Sequence, residues 1–344
     1  MSVFSKINSV SHLSGSIRTF PKDFQVDEIP VFEPSGQGEH VFLHIKKTGE
    51  NTDWVAGQLA KIAGVTRRDV SYAGMKDRNA VTTQWFSVWM PGREGPDWQD
   101  LSDSVEIIEE SRHDRKLKRG TLKGNHFKLT IRNFVGDEEE LKASVNRIVE
   151  QGVPNYFGEQ RFGRTSADQD VGYNVLSAEQ WFKGEFKVKN RQKRSIYLSA
   201  ARSWIFNHLL SERVKEGTWN QAVQGDVFML EGTKSIFTEA VNDEIISRVI
   251  KQEIHPTGVL WGKGNLLSQD GIAELESSIA NRFETLCNGL EKHDLKQERR
   301  ALRLRVSDMR YTVEQQDVVC LNFSLPLGTY ATTVLAEIGD FQNG

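Results

Sequence analysis

Alternating apolar and polar residues divide the first part of the chain into short strands. Five segments have this pattern, which is typical of half-buried strands: 23–28, 40–46, 83–90, 104–110 and 126–132. Apolar residues at helical spacing predict a helix over 52–63, which ends at Gly64. An acidic first turn predicts a second helix from near Asp137 to about Gln151. The pattern therefore predicts a β-rich unit that also contains helices.

From Pro154 onwards the pattern becomes mainly helical. Helices are predicted over 170–182, 194–217, 241–252 and 271–288, with one short strand at 226–230. Strands return at 301–313 and 317–325, and a last helix follows Gly328 and ends at Gly339. The end of the chain therefore matches its beginning, and we interpret the middle as an insertion in one discontinuous domain.

Composition narrows the class of protein. The chain is 38% hydrophobic and 26% charged, and its two cysteines have no CxxC spacing. That cysteine usage favours a reducing cytoplasm over secretion. The N-terminus lacks the apolar core of a signal peptide, and no apolar run is long enough to span a bilayer. We therefore expect a cytoplasmic protein with no membrane partner.

Basic residues are concentrated in three runs although the net charge is −3. Residues 115–132 contain seven Lys or Arg and no acid, 183–195 contain six with one acid, and 299–305 add four. A single such run is usually a solvated face. Three of them in a mildly acidic chain favour a surface that binds a polyanion.

The spacing of the residues excludes two candidate ligand sites. The segment 258–265, GVLWGKGN, has three residues between its first two glycines and Gly after Lys263, so it is not a Walker loop. His40 and His44 lie on one face of a predicted strand about 13 Å apart, too far to share a metal. We therefore expect no nucleotide cofactor and no metal. His44 is interpreted as structural, and His40 stays open as a pocket residue.

The stretch 71–88, SYAGMKDRNAVTTQWFSV, interrupts apolar segments with one carboxylate, Asp77. A solvated hairpin turn explains it, since Gly, Asn and Asp tolerate turn geometry. An ionised nucleophile explains it equally well. Lys76 and Arg78 favour the ionised form if their side chains turn toward Asp77, but in extended backbone they point away and a more distant cation would be the partner.

Aromatic residues occur within basic segments: Phe127, Tyr156, Phe157 and Phe162. Rings beside Lys and Arg suit the binding of an unpaired base and its phosphate. Core packing is the alternative for most of them. The segment 158–163, GEQRFG, places polar residues between glycines and predicts a structured functional loop.

Six segments in order resemble the TruD family of tRNA pseudouridine synthases over nearly the whole chain. They are DFQVDE (23–28), AGMKDRNAVTTQ (73–84), LKGNHFKLTIR (122–132), GVPNYFGEQRFG (152–163), RSIYLSAARSWIFN (194–207) and FSLPLGTYATTVLAEI (323–338). Thr329 stands where the family usually has Ser, and Ala336 where it often has Arg. Both positions lie in the second half of the last of these segments.

The resemblance implies an α+β (mixed α/β) fold, with a pseudouridine-synthase core on a largely antiparallel mixed sheet. The implied catalytic domain is discontinuous, 1–154 and 305–344, and the implied inserted α/β TRUD domain, 155–304, grips RNA. Asp77 corresponds to the catalytic aspartate, Phe127 to the ring that stacks on the target uracil, and Arg18 to a cation paired with the aspartate. The other implied substrate-binding residues are Glu28, Lys76, Gln84, Asn125 and Phe323.

The implied reaction is isomerisation of uridine, most often uridine 13 in the D arm of tRNA, and it needs neither cofactor nor metal. Asp77 would attack C1′ or remove the C2′ proton, and the sequence leaves both open. Two rivals remain: an RNA-binding module without catalysis, and a hydrolase in which Glu28 or Glu159 is a second acid. A monomer is the default expectation for the oligomeric state.

Overall fold

The computed structural model describes residues 4–7, 11–98, 100–165, 171–315 and 317–344. They form a mixed α+β protein with two compact units. The sheet unit comprises His12–Val145, Val306–Gly328 and Gly339–Gly344, and the helical unit comprises Asn146–Arg305, Thr329–Ile338 and the described residues before His12. The predicted functional domains, 1–154 with 305–344 and 155–304, remain a prediction, because compactness does not assign a function to either unit.

The strands and helices have the following bounds in the described residues. The strands are β1 Ser14–Ile17, β2 Phe24–Pro30, β3 His40–Thr48, β4 Val70–Tyr72, β5 Val81–Trp89, β6 Val105–His113, β7 Leu122–Val135, β8 Val153–Pro154, β9 Val227–Leu230, β10 Ile236–Thr238, β11 Ile254–Leu260, β12 Glu298–Ala301, β13 Arg303–Leu304, β14 Ser307–Gln315, β15 Val318–Pro326 and β16 Asp340–Asn343. The helices are α1 Thr52–Ala63, α2 Glu138–Gln151, α3 Tyr173–Phe182, α4 Arg191–Lys215, α5 Asp243–Ile250, α6 Asp270–Arg282, α7 Glu284–Lys292 and α8 Ala331–Ala336.

One large sheet forms the sheet unit. Its strand order is β14-β15-β7-β2-β5-β3-β6; β1 lies beside β7 and β16, and β4 beside β5. Two pairs, β2 with β5 and β1 with β16, are parallel, and the other pairs are antiparallel. The expected largely antiparallel mixed sheet is therefore confirmed.

The strand register brings distant residues into one row across this sheet. Lys47 of β3 is opposite Thr82 of β5, which is opposite Val26 of β2. Val26 is opposite Phe127 of β7, and Phe127 is opposite Phe323 of β15. Residues directly opposite in neighbouring strands point to the same face, so all five side chains share one face of the sheet.

Helix α1 covers the apolar part of the same face. Val55 and Leu59 pack in one buried cluster with Leu43, Ile45 and Phe86 of the strands. The helix ends as predicted, because Gly64 adopts a φ of 61° and its N–H bonds back to the last turn. At the N-terminal end of α1 the apolar contacts give way to polar ones.

The helical unit contains a sheet ordered β10-β9-β11-β12, the pair β8–β13 and helices α3 to α8. The long helix predicted at 194–217 is confirmed as α4, and Gly217 follows it with a φ of 70°. The single helix predicted over 271–288 is wrong, because the chain breaks at Phe283 between α6 and α7. The helix predicted over 170–182 corresponds to α3, and residue 170 lies outside the part of the chain that the structure describes.

Two strand predictions also differ from the structure. The strand predicted over 301–313 is interrupted between β13 and β14. Strand β11 was not predicted, since Pro256 and Gly258 break its alternation. In the part of the chain that the structure describes, no helix is both long and apolar enough to cross a membrane.

Candidate active site

The loop that carries Asp77 connects β4 to β5 and is not a tight hairpin turn. Tyr72, the last residue of β4, pairs with Phe86 in the middle of β5. The first residues of β5 pair instead with β2 and β3. The loop therefore spans the gap between two strand partners, with the Asp77 side chain 45% exposed.

A distant cation pairs with Asp77. The Nη2 of Arg18 lies 3.3 Å from Oδ2 of Asp77. The sequence neighbours are engaged elsewhere, since Lys76 Nζ lies 2.6 Å from Glu28 Oε1 and Arg78 Nε donates to the carbonyl of Gly49. Of the two possibilities that the sequence left open, the structure has the distant partner.

Arg18 adopts an unusual backbone conformation. Its φ is 58°, in the left-handed region that a residue with a Cβ seldom occupies. Such a conformation costs about 1–3 kcal/mol and persists only where the surrounding structure enforces it. The guanidinium also lies 4.1 Å from the centre of the Phe24 ring, so Arg18 is held between a ring and a carboxylate.

Buried polar side chains fix the backbone of the loop. Gln84 donates to the carbonyl of Gly74 and accepts a hydrogen bond from the Thr52 hydroxyl. The same hydroxyl accepts from the N–H of Lys76. Gln84 and Thr52 are nearly inaccessible to solvent. Because Thr52 begins α1, the helix terminus anchors the loop to the sheet.

Lys47 also holds the backbone of the loop, and the sequence analysis did not single out this residue. Its fully buried ammonium donates to the carbonyls of Asp77, at 2.8 Å, and Glu50, at 2.7 Å. Burial lowers the pKa of Lys47 to about 8, against a smaller opposing effect of the Asp77 charge. The sequence did contain a signal that Lys47 is buried, because Lys47 is in phase with the buried Ile45 of the same strand.

Aromatic rings lie next to the Arg18–Asp77 pair. The rings of Phe127 and Phe323 stack with centres 5.5 Å apart, and Phe24 packs edge-on against Phe127 at 6.3 Å. Phe24, which the sequence analysis did not single out, thus contacts both Arg18 and Phe127. The available signal was its place in the segment DFQVDE, in phase with Val26. Phe323 is fully buried, whereas Phe127 keeps 7% of its surface exposed.

Asn125 and Glu28 lie opposite each other on β7 and β2. Glu28 accepts from Lys76 and from the N–H of Trp85, so its carboxylate is fully engaged. Asn125 differs, since its Oδ1 is buried and has no hydrogen-bond partner among the described residues. A buried polar atom without a partner is costly, which makes Asn125 a candidate to bind a ligand group.

Other residues singled out in the sequence lie in different settings. His44 stacks on Trp85, with ring centres 4.9 Å apart, and His40 is buried opposite Trp89 and His113. The loop 158–163 is structured within the helical unit, where Arg161 donates to Ser199 and to Tyr330. The described residues contain no group of three or more His, Cys, Asp or Glu that could hold a metal.

The geometry combines one carboxylate, a paired guanidinium and a nearby aromatic stack. Every predicted site residue lies in the sheet unit: Arg18, Glu28, Lys76, Asp77, Gln84, Asn125, Phe127 and Phe323. Lys76 and Asp77 lie on the loop, Arg18 directly follows β1, and the other five lie on one face of the sheet. A carboxylate in this setting can act as a nucleophile or a base on a substrate that carries a flat ring.

Comparison with known proteins shows which family the chain resembles. The family model described as "tRNA pseudouridine synthase D (TruD)" matches residues 4–181 and 173–338. The chain is 48% identical over 330 residues to tRNA pseudouridine synthase D of Methylococcus capsulatus, covering 95% of this chain and 92% of the relative. It is 44% identical over 351 residues to the protein of that name from Xanthomonas euvesicatoria, covering 98% and 95%.

A solved structure has the same fold. A crystal structure of a Methanosarcina mazei protein assigned to TruD superposes with a TM-score of 0.74, covering 97% of this chain and 95% of that chain at 22% identity. The family match covers well over half of the sequence and agrees with relatives of high identity. The chain therefore belongs to the tRNA pseudouridine synthase D (TruD) family.

Proposed function

We propose that this chain isomerises uridine to pseudouridine in tRNA, at uridine 13 of the D arm, with Asp77 as the reacting carboxylate. Membership of the family supports the reaction class. The single observation that carries the assignment to Asp77 is its pairing with Arg18 on a loop whose backbone is tied down by buried side chains.

The reaction breaks the N1–C1′ bond of uridine and rejoins the uracil through C5. The bonding pair leaves with N1, so the departing uracil is an anion and needs no acid to protonate it. Asp77 either forms a bond to C1′ or removes the C2′ proton. After the uracil turns, C5 bonds to C1′: in the first route the bond between Asp77 and C1′ breaks, and in the second C2′ takes its proton back from Asp77. The proton on C5 is then released to solvent, and N1 takes up a proton. One carboxylate therefore suffices, in contrast to the usual pair in glycosidases.

The surrounding groups prepare the carboxylate for this role. The Arg18 guanidinium pairs with the Asp77 carboxylate and orients it. Lys47 and Gln84 hold the loop backbone so that the carboxylate meets the sugar in one geometry. We therefore propose that Lys76, Gln84 and Glu28 position the loop, since their side chains are already bonded within it or beneath it.

The base must leave its stack to react, which costs a few kcal/mol. Phe127 offers its remaining exposed surface to the uracil, and the fully buried Phe323 supports it from behind. Asn125, whose Oδ1 lacks a partner among the described residues, is suited to accept the N3–H of uracil.

The hydrolase alternative is weaker in this site. It needs a second carboxyl that gives up a proton, and Glu28 is the nearby candidate. Glu28 Oε1 accepts from the Lys76 ammonium at 2.6 Å and Oε2 from the N–H of Trp85 at 3.1 Å, so donors of the protein already occupy both of its oxygens.

The test is direct detection of pseudouridine in a tRNA transcript by chemical derivatisation and primer extension. The wild type should modify position 13, and a transcript with cytidine there should stay unmodified. Asp77→Asn should form no product. Asp27→Asn is the matched control, because Asp27 is an exposed carboxylate on the opposite face of β2. Product from Asp77→Asn, or modification of another position only, would contradict the proposal.

A further inference from the structure

A cavity in the sheet unit lies at β4, the strand that leads into the Asp77 loop. It is a cavity of about 300 Å³ between the start of α1, strand β4 and the basic segment 116–119. Four cations line it: Arg67, Lys116, Lys118 and Arg119. Asp53 is the one carboxylate in the lining, so the cavity has an excess of positive charge.

The cavity has a fixed frame. The Tyr72 hydroxyl donates to Asp53 at 2.5 Å, and Arg67 bonds the same carboxylate at 2.7 Å. The guanidiniums of Arg67 and Arg119 each lie 5.6 Å from the centre of the Tyr72 ring. Both guanidiniums therefore lie close enough to the Tyr72 ring for cation–π attraction.

Within the described residues, two of the four cations have neither a carboxylate nor a carbonyl as a hydrogen-bond partner. Asp53 is bonded to Arg67, and Lys116 donates to the carbonyl of Arg68. Within the described part of the chain, Lys118 and Arg119 form no ion pair. They are exposed at the cavity, where an anion could approach both.

Neighbouring residues of the chain line the cavity and hold the catalytic loop. Tyr72 precedes Asp77 by five residues, so their Cα atoms are at most about 18 Å apart. The N–H of Gly120, next to Arg119, donates to the carbonyl of Ala73. On the other wall, Asp53 follows Thr52, whose hydroxyl holds the loop.

We propose that this cavity binds a backbone phosphate of the RNA, a few nucleotides from the uridine that reaches Asp77. The inference rests on the proposed function, and it adds a specific phosphate subsite to it. An exposed guanidinium such as that of Arg119 suits a phosphodiester, because it donates charge-assisted hydrogen bonds to two oxygens at once. The bound phosphate fixes the strand, so that the flipped nucleotide enters the site in one register.

The first test removes the two unpaired charges with Lys118→Gln and Arg119→Gln together. The dissociation constant of a tRNA transcript should rise about tenfold at 0.15 M salt, and the slope of log K against log salt should fall by about 0.7–0.9, the value of one phosphate contact. The matched control is Lys234→Gln with Lys251→Gln, which removes two exposed lysines from the helical unit. An unchanged slope, or an equal change in the control, would overturn the proposal.

The second test locates the contact on the RNA. Uncharged methylphosphonate linkages are placed one at a time around position 13 of a ligated tRNA. At one or two positions the change should weaken binding to the wild type but have no further effect on the double variant, because both remove the same contact. Absence of any such coupled position would refute the subsite. Failure of the proposed function would look different, since the wild type would bind this tRNA and form no pseudouridine.

Discussion

Replacing Lys47 by Met should separate the stability of this protein from its activity. Lys47 is fully buried under the catalytic loop, and burial lowers its pKa from 10.5 to about 8. Each pKa unit corresponds to about 1.4 kcal/mol, so holding the charge in the folded state costs about 3 kcal/mol at neutral pH. Met removes that cost but leaves the carbonyls of Asp77 and Glu50 without their donor, a loss of about 1–3 kcal/mol each.

The net change in unfolding free energy at pH 7 should therefore lie between a gain of about 1 kcal/mol and a loss of about 3 kcal/mol. Activity should respond differently, because the tie between Lys47 and the backbone of Asp77 is lost. A displacement of about 1 Å at a reacting group costs on the order of 100-fold. We expect the single-turnover rate to fall about 10- to 100-fold.

The pH dependence gives the sharper readout. Between pH 8 and 10.5 the unfolded chain keeps the proton of Lys47 and the folded chain releases it, so this residue's contribution to stability rises with pH in that window. Over the same window the wild type loses the ammonium that holds the loop, so its rate should fall. Lys47→Met should show neither change.

Urea unfolding at pH 7 and 9.5 measures the change in stability, and single-turnover rates over the same pH range measure the change in activity. Lys46→Met is the matched control, since Lys46 is exposed on the other face and pairs with Glu106. A Lys47→Met variant with the wild-type rate and the wild-type alkaline decline would refute this reasoning.

Three further predictions concern the other parts of the site. Phe127→Leu should lower kcat/KM roughly 5- to 150-fold, because stacking on a base is worth about 1–3 kcal/mol. Urea unfolding, measured in parallel, separates this loss from the effect of lost packing on stability. Arg18→Gln should reduce the single-turnover rate at least about tenfold while changing the unfolding free energy by less than about 1 kcal/mol, since a partly exposed ion pair contributes little to stability; equal losses in both would contradict it. Replacing Lys189, Arg191 and Lys193 together by neutral residues should weaken tRNA binding and flatten its salt dependence. An unchanged salt slope would show that this basic run faces away from RNA.

Local signals in the sequence were sufficient for many elements. Helix α1 was predicted to the residue, because its apolar spacing and the left-handed Gly64 are both local features. The break at Phe283 was missed, since the apolar period continues from α6 into α7. Strands β1 and β16 were also missed, because they are four residues each and depend on pairing between the two ends of the chain.

The site was only partly accessible from the sequence. Resemblance to the family singled out Asp77 and Arg18, but their 3.3 Å pairing depends on strand connections that no local pattern encodes. Lys47 was in phase with buried positions, yet alternation alone does not separate a buried amine from one that reaches solvent. The row from Lys47 to Phe323 depends on the register of five strands, which is a non-local property.

The most direct test of the central claim is tritium release from an unmodified tRNA transcript labelled at C5 of uridine. The proton on C5 leaves only when C5 bonds to C1′, so release reports the isomerisation itself. We predict release by the wild type and none by Asp77→Asn, although both bind the tRNA. If neither protein releases tritium and both bind, the chain acts as an RNA-binding module, and the assignment of Asp77 as the reacting carboxylate is wrong.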